Sequence, residues 1–262
     1  MAIAMPSYSR FERVVSLGLC ALAATGAGTV SPLQSGQNLA AIVEASQQRR
    51  DSHVREIRSL RRYTLHNERW KSDATMDVVM TWDGRSRKQF EIVSSNVEGY
   101  QHRVLLKIVQ GEVESAAVDD RDTAVTAENY SIERIGPGSV NGRVCDMVTL
   151  VPKRRNKLLL EGKACIDPRD AAVVMMQGRT PKSLSFWVGR ADIKQEFRKI
   201  GEFWVPSFNR SSAPVKLIGT TELTIQFLDY SITPKAGSVL TACSTRPCSP
   251  HLTKGAVMRS SL

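Results

Sequence analysis

The sequence predicts a mainly β protein with an N-terminal amphipathic helix packed on an antiparallel sheet of about ten strands. Three observations carry that reading. Apolar residues recur at spacings of three and four between residues 36 and 62, after which the pattern changes to period two and keeps it. Clusters of Gly, Pro, Asn and Asp punctuate the rest of the chain at short intervals. No second helical pattern is long enough for the crossovers that parallel strands require, so the sheet is expected to be antiparallel. The 262 residues are 42% hydrophobic and 24% charged, which excludes disorder, collagen and coiled coil as the main state.

At the start, Arg10 and Arg13 precede the small-residue apolar stretch VVSLGLCALAATGAG. A basic beginning, a short apolar centre and small residues at a cleavage point describe a secretory signal over residues 1–27, cleaved near Ala27. The mature chain is therefore expected outside the cytoplasm. Residues 28–36 read as a linker, 37–233 as one domain, and 234–262 as a basic, mostly disordered tail rich in Ser, Thr and Pro.

The helix is expected over residues 37–62, with Leu39, Ile42, Val43, Val54, Ile57 and Leu60 on one stripe. The stripe fails at QQRRD (47–51), where a bend or two shorter helices would fit. Met76, Val78, Met80 and Trp82 then alternate with polar residues up to the turn Asp83-Gly84, and 88–94 returns as the second strand of a hairpin. A third strand is expected at Val104–Val109. After a polar excursion the segments 129–135, 140–151, 158–166 and 173–176 read as a meander, with Gly136-Pro137-Gly138 as a turn. Further strands fit 184–188, 193–200, 203–208 and 216–232. Several strands are apolar on both faces: Val144, Val148 and Leu150 alternate with Cys145, Met147 and Val151. Either both faces are covered or one lines a cavity.

The net charge of +10 is uneven. Residues 49–71 hold eight bases and three acids, the tail holds four bases and no acid, and the main body is neutral. In an exported chain with no nucleic-acid motif, nucleic acid is not an expected partner. The basic segment reads either as a solvated helix face or as a surface for anionic membrane headgroups. Beyond Cys20 in the signal, four cysteines are left for an oxidising compartment. Cys243 and Cys248 suit a local disulfide in the tail. Cys145 and Cys165 flank the turn-like PKRRNK (152–157), and a hairpin there would place them nearly opposite.

Chemistry-bearing motifs do not emerge. His53, His66, His102 and His251 have no Cys or carboxylate at metal-ligand spacing, and neither a GxSxG elbow nor a Walker loop is present. Asp119-Asp120-Arg121-Asp122 lacks the glycine and the bidentate glutamate of a calcium loop. The carboxylate pairs Asp77/Asp83 and Glu112/Glu114 sit where outward alternation places ordinary surface residues. No catalysis, metal or cofactor is expected.

An export signal, one amphipathic helix and a continuous meander resemble the LolA/LolB-like, outer-membrane lipoprotein-sorting superfamily. The specific likeness lies in the second half. Leu150, Pro152, Lys153, Ile166 and Asp167 match a run of strand, "L-x-P-K" turn, strand and "I-D" turn. Phe197, Gly201, Trp204 and Pro206 match an "F…G-x-W-x-P" hairpin. The resemblance implies a curved, unclosed half-barrel around an apolar cavity, and a carrier of lipid or lipoprotein acyl chains. Candidate lining residues are Met76, Val78, Met80, Trp82, Phe90, Ile92, Leu223, Ile225 and Phe227, although each reads equally as packed core. The stripe of the 37–62 helix would serve as the lid. The alternative is a non-catalytic envelope scaffold with a solid core; a hydrolase would need convergent titratable groups in the cavity.

Overall fold

The computed structural model describes residues 32–70, 72–84, 87–115, 124–156 and 158–235. The expected signal, residues 28–31 of the expected linker, the acidic cluster at 119–122, and Cys243 and Cys248 in the tail lie outside the described residues. Helices α1 (Pro32–Ser52) and α2 (Gly99–Ser115) accompany ten strands. These are β1 (Val54–Asn67), β2 (Ala74–Trp82), β3 (Lys88–Ser95), β4 (Tyr130–Val140) and β5 (Arg143–Pro152), then β6 (Glu161–Asp167), β7 (Ala172–Arg179), β8 (Asp192–Ile200), β9 (Phe203–Val215) and β10 (Gly219–Pro234). They form one antiparallel sheet in the order β3-β2-β1-β10-β9-β8-β7-β6-β5-β4, open at β3 and β4. The expected fold class, mainly β with helix on an unclosed antiparallel sheet, is the one observed. The meander is interrupted once, where β1 pairs with β10 from Val54↔Pro234 to Asn67↔Thr221.

Directly paired residues share a face of a sheet. The row Tyr63, Ile225, Asn209, Gln195, Met176, Ala164 and Val148 therefore crosses the sheet on one face. It is apolar at both ends and polar in the middle, and each apolar end carries a helix. Leu105, Ile108 and Val109 of α2 pack with Tyr63, Met76, Val78, Met80 and Ile225. Ala40 and Val43 of α1 pack with Ile132, Val148, Leu150, Ala164 and Met176. The neighbouring row, Lys163, Gln177, Lys194, Arg210 and Thr224, points to the opposite face and is polar throughout. Burying one such aliphatic side chain stabilises by about 1.5–3 kcal/mol, which is why each helix settles on an apolar end rather than on the polar middle.

Four expected elements are corrected. Helix α1 begins at Pro32, inside the expected linker, and stops at Ser52, so Val54, Ile57 and Leu60 belong to β1 and not to the helical stripe. Buried Ser59, Arg61 and Asn67 occupy inward positions of β1, and these polar residues hide its period of two. Residues 104–109 are helical within α2, where Leu105, Ile108, Val109 and Glu112 are buried at helix spacing. Gly136-Pro137-Gly138 lies within β4 at a bulge, on an edge strand where a missing proline N–H breaks no ladder bond needed by a neighbour. The turn falls instead at Asn141-Gly142, whose φ values of 51° and 77° suit a two-residue hairpin loop. Finally, 184–188 is a loop that touches β9 through the single bridge Val188↔Val215. The basic segment also divides: Arg49 and Arg50 end α1, Arg55, Arg58 and Arg62 face outward from β1, and Arg61 faces inward.

Cys145 and Cys165 form a disulfide with Cα atoms 5.6 Å apart. The register pairs Met147 with Cys165, so the two cysteines are offset by two residues rather than opposed, and an even offset keeps both on one face. Cys165 and Met175, each one residue from Ala164 and Met176, face away from α1 and build a separate cluster with Val174 and Trp204. Both faces of this region are thus covered. With a sequence separation of 20, opening the bridge is expected to cost about 3 kcal/mol. Urea unfolding of Cys145→Ser/Cys165→Ser against the oxidised protein reads the loss; equal midpoints would show that the bridge is thermodynamically idle.

Candidate functional site

The concave face has two unlike halves. Beneath α2 apolar side chains pack together. Met76, Val78, Met80, Ile225 and Phe227 are buried there, with Phe90 and Leu223 partly buried against them. Trp82 packs elsewhere, with Val54, Ile57, Phe203 and Val205. Ile92 is exposed.

This half also holds a buried ion cluster. Arg61 Nη1 donates to Glu112 Oε1, Lys88 Nζ lies 3.8 Å from that same oxygen, and Tyr63 Oη donates to Glu112 Oε2 at 2.7 Å. Arg61 is further held by its Nε hydrogen bond to Ser59 Oγ at 2.8 Å and lies over the Phe227 ring. Burial by itself would raise the Glu112 carboxyl. The charges of Arg61 and Lys88 and the Tyr63 hydrogen bond outweigh it and hold the group below its ordinary value. Burial first, then the negative charge of Glu112, push the Tyr63 hydroxyl well above the usual phenol range. Sequence alternation marked Glu112 as a surface residue; in the helix it faces the core.

Beneath the last turns of α1 the packing is incomplete. A cleft there has Gln47, Arg50 and Asp51 of α1 at its roof and Met176, Ile193, Gln195, Phe197, Trp204 and Pro206 as its floor. Tyr130, Leu158, Leu160 and Val125 form the back wall. Counted out to its mouth the cleft has about 930 Å³ of unfilled space, but only about 80 Å³ can hold the centre of a water molecule. It is tight rather than roomy. The roof is fastened through one turn: Ser46 Oγ and Arg50 Nη1 both donate to the Asp170 carbonyl, at 2.9 and 2.8 Å. The Asp170 carboxylate in turn accepts from Trp204 Nε1 at 2.9 Å and pairs with Lys199 at 2.6 Å. Burial would raise that carboxyl, and the bonds from Lys199 and Trp204 bring it below its ordinary value instead.

Gln195 is the unusual member of the floor. Its side chain is buried, yet Nε2 has no hydrogen-bond partner among the described residues. Leaving such a donor dry costs about 1–3 kcal/mol. The only sequence signal is positional: Gln195 stands between Ile193 and Phe197 on the inward parity of β8, as Asn209 does on β9. The lining residues include no Ser, Cys or His, and no cluster of three metal-ligating side chains is found among the described residues.

The expected lid residues are divided. Val43 is buried, Leu39 partly so, and Ile42 is 55% exposed, all on α1. Val54, Ile57 and Leu60 cannot move with a helix to which they do not belong. Of the motif residues, Phe197, Trp204 and Pro206 line the cleft, while Gly201, with φ 60°, turns β8 into β9. Asp167 accepts from the N–H groups of Arg169 and Asp170, which shapes the turn that holds α1.

No protein-family model and no curated protein matches the chain. Among solved structures it is similar to a DUF1329 family protein from Desulfovibrio piger, at 9% identity over 78% of this chain and 94% of that one, with a TM-score of 0.40. It is similar also to a proposed outer membrane lipoprotein-sorting protein domain from Vibrio parahaemolyticus, at 9% identity over 76% and 93%, TM-score 0.41. A LolA superfamily protein from Nitrosomonas europaea shares 10% identity over 76% and 97%, TM-score 0.33.

Proposed function

We propose that the protein is a carrier-type binding protein of the periplasm, which takes a lipid or lipoprotein acyl chain into the cleft beneath α1. The observation that carries this reading is the cleft floor, apolar from Met176 to Pro206 with one unpartnered buried donor, Gln195 Nε2. An acyl chain suits the apolar walls, and its ester or amide carbonyl supplies the acceptor that Gln195 lacks. The void is too narrow for a chain with α1 in place, so binding requires the helix to yield. Its apolar contacts, chiefly Ala40 and Val43, are of the kind a chain can replace at small net cost. The helix would thus act as a lid through its own residues alone.

Mass spectrometry of lipid extracted from protein purified out of native membranes, together with binding of a fluorescent fatty acid, tests the reading. Met176→Trp, which fills the floor, is expected to weaken fatty-acid binding by roughly tenfold or more, and Gln195→Leu to weaken it less. Protein free of lipid that takes up no fatty acid would sink the proposal.

The solid packing beneath α2 favours a second reading, a non-catalytic envelope scaffold. In that case Met176→Trp changes stability only, and the protease sensitivity of α1 is the same with and without fatty acid.

A further inference from the structure

The loops β5–β6, β7–β8 and β9–β10 lie side by side along one end of the sheet, because consecutive antiparallel strands return there. Their composition differs from that of the opposite end. Residues 153–160, 180–191 and 216–218 contain no Asp or Glu, yet they expose Lys153, Arg155, Lys182, Arg190 and Lys216. At the other end the turns mix signs, as at Asp83 and Arg87, Asp167 and Arg169, and Glu202 beside His53.

At the tip of this basic rim stand three large apolar side chains. Phe186 is 73% exposed, Trp187 55% and Leu217 78%. They are brought together by design of the backbone: the Lys216 N–H donates to the Trp187 carbonyl at 2.9 Å, and the Gly189 N–H to that of Pro214 at 2.8 Å. The Phe186 and Trp187 rings meet edge to face with centroids 5.2 Å apart, and Lys216 Nζ sits 3.6 Å from the Phe186 centroid. Arg69 steadies the second loop by donating to the Leu217 carbonyl at 2.6 Å. The acids described at this end are Glu68 and Asp73 on the β1–β2 turn, Glu98 after β3, Glu128 before β4, and Glu161, which lies 3.8 Å from Arg190.

We infer that this rim docks on an anionic lipid bilayer, with Phe186, Trp187 and Leu217 in the interfacial layer and the surrounding bases over the headgroups. Aromatic rings with a polar handle favour the depth of the headgroups, and each base near an anionic surface adds attraction within a Debye length. A protein groove would satisfy the apolar tip, but the bases of the three loops, which themselves carry no acid, match a continuous negative surface better. Phe186, Trp187 and Leu217 are not among the residues that line the cleft, so the inference does not depend on what the cleft binds.

The test is co-sedimentation of the full chain with vesicles of phosphatidylcholine alone and of phosphatidylcholine mixed with phosphatidylglycerol. Binding to the mixed vesicles is expected to be roughly tenfold stronger than to the neutral ones and to fall as salt is raised. Phe186→Ser/Leu217→Ser, with an unchanged circular dichroism spectrum, should lose most of it. Brominated lipid should quench the tryptophan fluorescence of the bound protein, and Trp187→Phe should abolish that quenching. Equal binding to both vesicle types, no binding, unaltered binding by the double variant, or quenching that persists in Trp187→Phe each overturns the inference.

Discussion

Replacing Glu112 with leucine is expected to destabilise the protein by about 3–5 kcal/mol, measured as the shift in urea unfolding. The carboxylate lies between Arg61 and Lys88, whose side chains are 9% and 7% exposed. With it gone, two buried cations face each other across a low-dielectric core, and the Tyr63 hydroxyl loses its acceptor. Removing both partners of the main pair should hurt less. Arg61→Met/Glu112→Leu leaves only Lys88, which has a long stem able to carry its charge toward solvent. The double variant is therefore expected to be more stable than Glu112→Leu alone, and a simple sum of the two single effects would refute the coupling.

The same cluster fixes a pH dependence. The Glu112 carboxyl is held below its ordinary value of 4.5 in the folded protein, so its contribution is complete above that value. As pH falls through the folded value the carboxylate takes up a proton and the contribution disappears. Stability should therefore decline from about pH 5 downward, and more steeply in the wild-type protein than in Glu112→Leu. Parallel declines would place the acid sensitivity elsewhere.

Glu112 also shows where the sequence was legible and where it was not. Strands with clean alternation, such as Met76, Val78, Met80 and Trp82, were readable because outward positions there are polar and inward ones apolar. Strand β1 was not, because Ser59, Arg61 and Asn67 occupy its inward positions and leave Val54, Ile57 and Leu60 looking like a helical stripe. Helix α2 was missed for the converse reason. Its run Val104–Val109 is short and continuously apolar, and such a run fits either a strand or a buried helix segment. Of the residues nominated as cavity lining, Met76, Val78, Met80, Phe90, Leu223, Ile225 and Phe227 pack in the cluster under α2, the helix that was not foreseen, and the cleft described above lies under α1. The motif residues Phe197, Trp204 and Pro206 did reach the cleft, because their pattern belongs to the β8–β9 hairpin that forms its floor.

The cleft itself depends on a close approach of two backbones, and Gly178→Val is expected to cost at least about 4 kcal/mol. Gly162 of β6 pairs directly with Gly178 of β7, in the row that continues to Leu150 on one side and Ile193 on the other. A Cβ on Gly178 would stand 2.1 Å from the Glu161 carbonyl oxygen and 2.8 Å from the Gly162 Cα. A Cβ on Gly162 would meet the Gln177 carbonyl at the same 2.1 Å. These neighbours are backbone atoms held in the ladder, so no side-chain rotation relieves the overlap. The strands must separate, which loses ladder hydrogen bonds and drags Met176 and Ile193 with them. Gly178→Ala should already be clearly destabilised, and fatty-acid uptake by whatever fraction stays folded should change with it, since two floor residues move. A Gly178→Ala variant as stable as the wild-type protein would show that β6 and β7 relax apart freely, and that the floor is not held by this contact.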